Sequence, residues 1–211
     1  MLQQQFKALV LRHTPNQELA DQLWKEIESA YTQEERHFHN LSHIEQILDA
    51  LQPFQSKAED WDTLLFSVFY HDAVYDVVEY VTDNRNEDKS AELAEKALTS
   101  IPYPLEKIER CKQHILATKK HRVSTDNDTN LLTDADLSIL GQPWRVYDAY
   151  RKNIRKEYGI FPDPIFHAGR SKVLQQFLQM ERLYKTEGFY RQYEGAAEKN
   201  LSRELEIISF V

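Results

Sequence analysis

The stretch DWDTLLFSVFYHD, residues 60–72, joins a helix cap, a broad apolar face and two adjacent polar residues. Asp60 is a residue type that caps the first turn of a helix. The apolar residues after it recur at helical spacing, which predicts a buried helix. The helix leads directly into His71 and Asp72. Each of these polar groups would cost about 1–3 kcal/mol if it were buried without a partner, so we expect partners from elsewhere in the chain.

Helical spacing continues through most of the sequence and predicts an all-α fold. The 211 residues include only five glycines, and the 41% hydrophobic fraction is sufficient for a sizeable core. The length is typical of a single domain covering residues 1–211.

Capping patterns set the expected positions of further elements. Thr14 is expected to cap a helix of about 15 residues, and a second capping box at Thr32 is expected to open the next helical stretch. Residues 77–88 lack a helical apolar stripe and are expected to form a loop. A final helix is expected over roughly 193–208.

Charge and cysteine content exclude several classes of protein. The net charge of -8 argues against a surface that coats a nucleic-acid polymer, which requires clustered Lys and Arg. The single cysteine, Cys111, cannot form an internal disulfide, and no apolar run reaches the roughly 20 residues that span a bilayer. We therefore expect a cytoplasmic protein without a membrane partner.

Several histidines and aspartates lie at the ends of apolar helices. These are His43, His71, Asp72, His114, Asp134 and Asp136. Imidazole nitrogen and carboxylate oxygen are ligands that suit borderline divalent metals, and helix packing can bring such groups together. The same pattern is also compatible with satisfied core histidines and with aspartates that cap helices.

The order of these residues carries a resemblance. HNLSHIEQIL (39–48), FYHDAVYD (69–76) and LLTDADLSILG (131–141) place H, HD and D in sequence. This resembles the HD superfamily of metal-dependent phosphohydrolases, and more closely its predicted-hydrolase branch. That branch has an R-x-H/Y-x-N-x-x-H opening, an HDAVYD-like core and an NE-x-x-SA segment, here NEDKSA (86–91). The resemblance covers about residues 20–205.

The resemblance implies an HD-type helical bundle with a metal-site core at about 36–140, on which C-terminal helices from 141–211 pack. It implies a divalent ion, which can be Mn, Fe, Co, Ni, Zn or Mg, with the ligands His43, His71, Asp72 and Asp136. Asp134 would then orient a ligand or cap the helix. His39 is a rival to His43 as the first ligand.

The implied reaction is attack of a metal-activated water on phosphorus. Asp72 or Glu87 can accept the proton from water, and Arg36 is the favoured phosphate ligand. The residues expected to bind substrate are Arg36, His39, Lys89, His114, Lys119, His121 and Arg170. For Lys89 and Lys119, the pattern favours solvated surface charges over substrate binding. Tyr75 and Tyr80 can line the pocket or pack in the core.

These inferences predict a phosphohydrolase that acts on a small phosphorylated metabolite, with a nucleotide as the leading example. His114 and His121 are seven residues apart, which is two helical turns and so places them on one face, and some HD proteins use additional histidines for a second metal. A di-iron oxygenase is therefore one alternative. A non-catalytic module that binds metal or nucleotide is another. A homodimer is possible.

Overall fold

A computed structural model of the chain describes residues 1–209, with only the backbone described for residues 80 and 81. The described part is helical and contains no β-strand, which confirms the all-α prediction. Its helices are α1 (Leu2–Leu11), α2 (Gln17–Tyr31), α3 (Leu41–Leu51), α4 (Trp61–Tyr70), α5 (Val77–Thr82), α6 (Asn86–Thr99), α7 (Leu105–Ala117), α8 (Asn127–Asp136), α9 (Trp144–Glu157), α10 (Asp163–Leu178) and α11 (Glu187–Ser209). Two 3-10 turns, Gln52–Lys57 and Leu137–Gly141, follow α3 and α8.

Helix α4 lies at the centre of the bundle and packs against α1, α3, α6, α7 and α8. As predicted, Asp60 caps it, because the Asp60 carboxylate accepts a hydrogen bond from the backbone N–H of Thr63 at 3.2 Å. Helices α3 and α8 also pack against each other. The packing of these three helices brings the start of α3 close to the ends of α4 and α8.

The last three helices pack onto this arrangement through the turn Leu137–Gly141, which contacts both α9 and α11. A Cβ atom at Gly141 would lie 2.5 Å from the Cβ of Tyr193, so glycine is needed for this close approach of α11. One buried apolar cluster extends from Leu2 in α1 to Leu201 in α11.

Two of the predicted helix starts are wrong in position or in kind. Asn16, not Thr14, caps α2, although the helix has the expected 15 residues. Thr32 closes α2 instead of opening a helix, because its hydroxyl donates to the carbonyl of Glu28 at 2.8 Å. The N-terminal helix α1 was not predicted.

The segment 77–88 also differs from its prediction as a loop. It contains the short helix α5 and the start of α6. The carboxylate of Asp76 accepts hydrogen bonds from the backbone N–H groups of Val78 and Glu79, so a cap compensates for the missing apolar stripe. The final helix begins at Glu187, six residues before the expected start.

Candidate metal centre

The ends of α3 and α4 bring three of the predicted ligands together. His43, His71 and Asp72 each offer one ligand atom, and these atoms all lie within 4.8 Å of one another. The Nε2 atoms of the two histidines are 3.4 Å apart. Asp72 Oδ2 lies 3.1 Å from His71 Nε2 and 3.9 Å from His43 Nε2. These groups face one small volume that an ion can occupy.

Asp136, the last residue of α8, lies beside the same three groups. Its Oδ1 atom is 3.1 Å from His43 Nε2 and 3.7 Å from His71 Nε2. We refer to His43, His71, Asp72 and Asp136 as the pocket cluster. The two imidazoles and two carboxylates are donors that suit borderline divalent metals, and the group contains no thiolate that would favour softer ions.

The tautomer of His71 is set by its surroundings. Its Nδ1 atom lies 2.8 Å from the carbonyl oxygen of Val68, so Nδ1–H donates and Nε2 remains directed at the pocket cluster. Burial lowers the pKa of His71, but the nearby charges of Asp72 and Asp136 outweigh burial and raise this pKa to about 9. Burial has the larger effect on His43 and lowers its pKa.

The charges of the two carboxylates in the pocket cluster are also stabilised. Burial raises the pKa of Asp72, but the charge and hydrogen bond of His71 outweigh burial and hold this pKa well below its usual range. The pKa of Asp136 is likewise lowered against the effect of burial, chiefly by hydrogen bonds with His121 and His43. Both carboxylates are therefore ionised and able to bind a cation.

Arg36 supports the loop after α4 instead of facing a ligand. Its guanidinium donates to the backbone carbonyls of His39, Asp72 and Ala73 at 3.1, 2.6 and 3.0 Å, and the side chain is buried. Arg36 does not line the cavity that opens at Asp72 and Asp136. The backbone of the loop after α4 occupies the donors of Arg36, which favours a structural role over the predicted binding of phosphate.

The NEDKSA segment supports the same loop from the other side. The amide of Asn86 makes two hydrogen bonds with the backbone of Asp76, at 3.2 and 3.0 Å. The hydroxyl of Ser90 bonds the backbone N–H and carbonyl of Val74 at 3.0 and 3.3 Å. The segment that carries part of the sequence resemblance thus fixes the chain that follows His71 and Asp72.

A cavity of about 690 Å³ opens at the pocket cluster, a volume within the usual range for small-molecule sites. Asp72 and Asp136 line it, and the predicted residues His39, Tyr75, Glu87, Lys119, His121 and Arg170 line it as well. The side chain of Tyr80 lies outside the described residues. The cavity brings a candidate ion site, a carboxylate and several cations into contact with one space.

Glu87 lines this cavity, and its Oε2 atom is buried without a hydrogen-bond partner. Burial raises the pKa of Glu87. Lys119 also lines the cavity, and its ammonium group donates to the carboxylate of Asp88 at 2.8 Å. Glu87 therefore accepts a proton more readily than an exposed glutamate does. The carboxylate of Asp88 partly neutralises the charge of Lys119.

His121 is held in a backbone conformation that is unusual for its residue type. Its φ of 48° lies in the left-handed region, which favours glycine. Its Nε2 atom lies 2.8 Å from Asp136 Oδ2. Strained backbone conformations persist where surrounding contacts maintain them, often at functional sites. The contact with Asp136 is such a contact, and it explains why a histidine occupies this position.

Two residues predicted to bind substrate lie away from the cavity. His114 is buried, with Nδ1 3.1 Å from Ser67 Oγ and Nε2 3.5 Å from Asp126 Oδ2. Lys89 pairs with Glu79 at 2.7 Å. Neither residue lines the cavity, so the structure does not support their predicted assignment to substrate binding.

The predicted pairing of His114 with His121 also fails. Helix α7 ends at Ala117, and the chain turns before it reaches His121. A spacing of seven residues therefore does not place the two side chains on one face. The structure does not assemble a second ion site from these two histidines.

Asp134, the alternative to Asp136, does not face the pocket cluster. Its carboxylate accepts hydrogen bonds from the backbone N–H groups of Lys185 and Thr186 at 2.8 and 2.7 Å, and from the Thr186 hydroxyl. It therefore fixes the chain just before α11. Arg170 does line the cavity, but its guanidinium donates to Glu204 at 2.9 and 3.0 Å.

Glu157 is a site residue that the sequence did not reveal. Its carboxylate accepts hydrogen bonds from the backbone N–H groups of Phe38 and His39 at 2.7 and 2.8 Å, and contacts His39 Nδ1 at 2.7 Å. His39 is thus held by Glu157, while His43 joins the pocket cluster. Phe38 stands where the resembled motif has His or Tyr, and its ring centroid is 4.7 Å from that of His43. Glu157 lies 118 residues beyond His39, so no local pattern indicates this contact.

No protein-family model, no curated protein and no solved structure matches this chain. The resemblance to the HD superfamily therefore depends on the quoted motifs and on the geometry of the pocket cluster. Within residues 1–209, no helix has both the length and the apolar character needed to cross a membrane.

Proposed function

We propose that this protein is a metal-dependent phosphohydrolase that cleaves the phosphoester of a small phosphorylated metabolite. The observation that carries the proposal is the convergence of His43, His71, Asp72 and Asp136 at one end of a cavity large enough for a metabolite. The order of these residues along the chain, and the support of their loop by Arg36 and the NEDKSA segment, agree with the resemblance to the HD superfamily.

A divalent ion held by the pocket cluster would supply Lewis acidity, which lowers the pKa of water and polarises a phosphoryl oxygen. Asp72 and Asp136 provide the negative charge that holds such an ion. Among the carboxylates near the site, Glu87 is the better proton acceptor, because its pKa is raised by burial while that of Asp72 is lowered. Lys119, Lys120 and His121 line the cavity and can contact phosphate oxygens.

Phosphatase assays with Mn²⁺, Co²⁺, Ni²⁺ and Mg²⁺ test the proposal, with p-nitrophenyl phosphate and a nucleotide panel as substrates. Asp72→Ala should lower activity by at least about 100-fold, because it removes a ligand. The matched control is Asp126→Asn, which changes a helix-end aspartate away from the cavity and should retain activity. Glu87→Gln should lower kcat by about 10²- to 10⁴-fold while the ion still binds.

Two outcomes would contradict the proposal. Activity that is unchanged in Asp72→Ala would show that the pocket cluster is not the site of the reaction. An ion that binds to the pocket cluster without hydrolysis of any phosphoester, under any of the four metals, would favour a binding or regulatory module.

A further inference from the structure

The cavity has two ends of different chemistry. Asp72 and Asp136 of the pocket cluster line one end, together with Glu87 and Lys119. The other end lies between α9 and α10 and is lined by hydrocarbon and aromatic side chains. We refer to it as the apolar arm, formed by Tyr150, Ile154, Phe161, Phe166, Val173 and Phe177.

The apolar arm begins directly beside the candidate ion site. The ring of Phe38 lies 4.7 Å from that of His43 and 4.6 Å from that of Tyr150, measured between centroids. The Phe177 ring, which also lines the cavity, lies 6.1 Å from that of His121. A molecule whose phosphate is at the pocket cluster would therefore place its next atoms against these aromatic rings.

The charged group inside the apolar arm is already paired. Arg170 donates to both carboxylate oxygens of Glu204, and its terminal nitrogens lie 3.4 Å from the hydroxyl of Tyr150. Lys172 and Gln176 also line the cavity, but both side chains are exposed at its mouth. Arg170 is therefore not available to recognise the edge of a nucleobase.

The apolar surface continues to the mouth of the cavity. Ile165 lines the cavity and is 58% exposed, and Ile160, just before Phe161, is 69% exposed. Exposed apolar residues beside an apolar cavity are typical of a site for an apolar ligand. The residues Ile160 and Ile165 at the mouth are therefore apolar, like the residues inside the arm.

We propose that the substrate is a phosphate monoester of an apolar alcohol, with its hydrocarbon group in the apolar arm and its phosphate at the pocket cluster. This inference rests on the proposed function. In the reaction, the oxygen of water bonds to phosphorus and the bond between phosphorus and the ester oxygen breaks. The alcohol leaves with one proton, and inorganic phosphate is the second product. A nucleoside fits the apolar arm less well, because the residues of the arm offer few hydrogen-bond partners to the polar edges of a base.

Binding of a series of n-alkyl phosphates tests the inference directly. Ethyl, butyl, hexyl and octyl phosphate are titrated calorimetrically, below their aggregation concentrations, into the Mn²⁺-loaded protein. Affinity should rise about fourfold for each additional buried methylene until the arm is filled. Adenosine and thymidine monophosphate should bind more weakly than octyl phosphate. Affinity that is independent of chain length, or tighter binding of either nucleotide, would overturn the inference.

Variants in α10 test whether the alkyl chain binds in the apolar arm. Val173→Glu places a charge in the apolar arm and should abolish the dependence on chain length. Gln175→Glu is the matched control, because it adds the same charge two residues away, at an exposed side chain that does not line the cavity. It should retain the wild-type dependence. Val173→Phe keeps the surface apolar but shortens the arm, so affinity should stop rising at a shorter chain. An unchanged series in both Val173 variants would place the alkyl chain elsewhere.

The measurements separate this inference from the proposed function. If alkyl phosphates bind with the expected dependence on chain length but are not hydrolysed, the apolar arm is supported as a binding site and the hydrolase proposal is contradicted. If hydrolysis of p-nitrophenyl phosphate depends on Asp72 but binding does not depend on alkyl length, the hydrolase proposal is supported and the apolar arm is contradicted as the substrate site.

Discussion

The pocket cluster and a second group of histidine and aspartate at helix ends differ in what holds them. We refer to the second group as the α7 cluster, and its residues are Arg110, His114, Asp126 and Asp128. In the α7 cluster, Arg110 donates to both oxygens of Asp126, at 2.7 and 3.0 Å. Asp128 accepts hydrogen bonds from the backbone N–H groups of Glu59 and Asp60, each at 2.8 Å.

The carboxylates of the pocket cluster have no Lys or Arg partner within the described residues. Among residues 1–209, no Lys or Arg side chain forms an ion pair with Asp72 or Asp136, and their partners are histidines. The pocket cluster also borders a cavity, whereas no member of the α7 cluster does. The residue types are therefore similar, but the permanent charge of Arg110 stabilises the α7 cluster. The carboxylates of the pocket cluster have histidine partners and border a space that an ion can occupy.

Asp128→Ala should produce the largest loss of stability of the changes below. Asp128 is fully buried, and its removal leaves two backbone N–H groups without their acceptor and takes away one of the carboxylates that face Arg110. We expect the free energy of unfolding to fall by about 2–5 kcal/mol, because each unpaired N–H group costs about 1–3 kcal/mol. Urea denaturation measures this change. At temperatures where the variant is folded, ion binding should match the wild type, and a loss of ion binding would show that the two clusters are coupled.

Arg36→Lys should have an intermediate effect, and it acts on the pocket cluster. Lysine cannot reproduce the guanidinium contacts with three backbone carbonyls, so the loop that carries Asp72 loses its support. We expect affinity for Mn²⁺ to fall by about 10- to 100-fold. The KM for a phosphoester at saturating metal should change little. A large rise in KM with unchanged metal affinity would instead indicate that Arg36 binds the phosphate of the substrate.

The smallest effect concerns pH and the α7 cluster. Burial raises the pKa of Asp126, but the hydrogen bond from Arg110 outweighs burial and holds this pKa well below its usual range. The folded-state pKa is thus below the unfolded value of about 3.9. The contribution of Asp126 is therefore fully present above that value and is lost as pH falls toward the folded-state pKa.

Comparison of wild type with Asp126→Asn between pH 5 and pH 3 isolates this contribution. Wild type should lose more stability than the variant over this range, as measured by the urea midpoint. The other carboxylates are present in both proteins, so their contributions cancel. Equal losses in the two proteins would show that the ion pair of Asp126 with Arg110 does not contribute to folding.

The features that were predicted correctly depend on local physics. The apolar face of α4, its cap at Asp60 and the start of α3 near His43 follow from short-range spacing and capping. The errors arise where distant residues decide the outcome. The role of Arg36 depends on carbonyls 36 and 37 residues away, and that of Glu157 on a partner 118 residues away. The pairing of His114 with His121 failed because helix α7 ends before His121.

Titration with Co²⁺, followed by its visible absorption, tests most directly whether the pocket cluster holds an ion. The wild-type protein should bind Co²⁺ at the pocket cluster with an absorption band typical of nitrogen and oxygen ligands. The band should be lost in His71→Ala and Asp72→Ala, and retained in Asp126→Asn. An unchanged band in both pocket variants, or its loss in Asp126→Asn alone, would contradict the assignment of the pocket cluster as the metal centre.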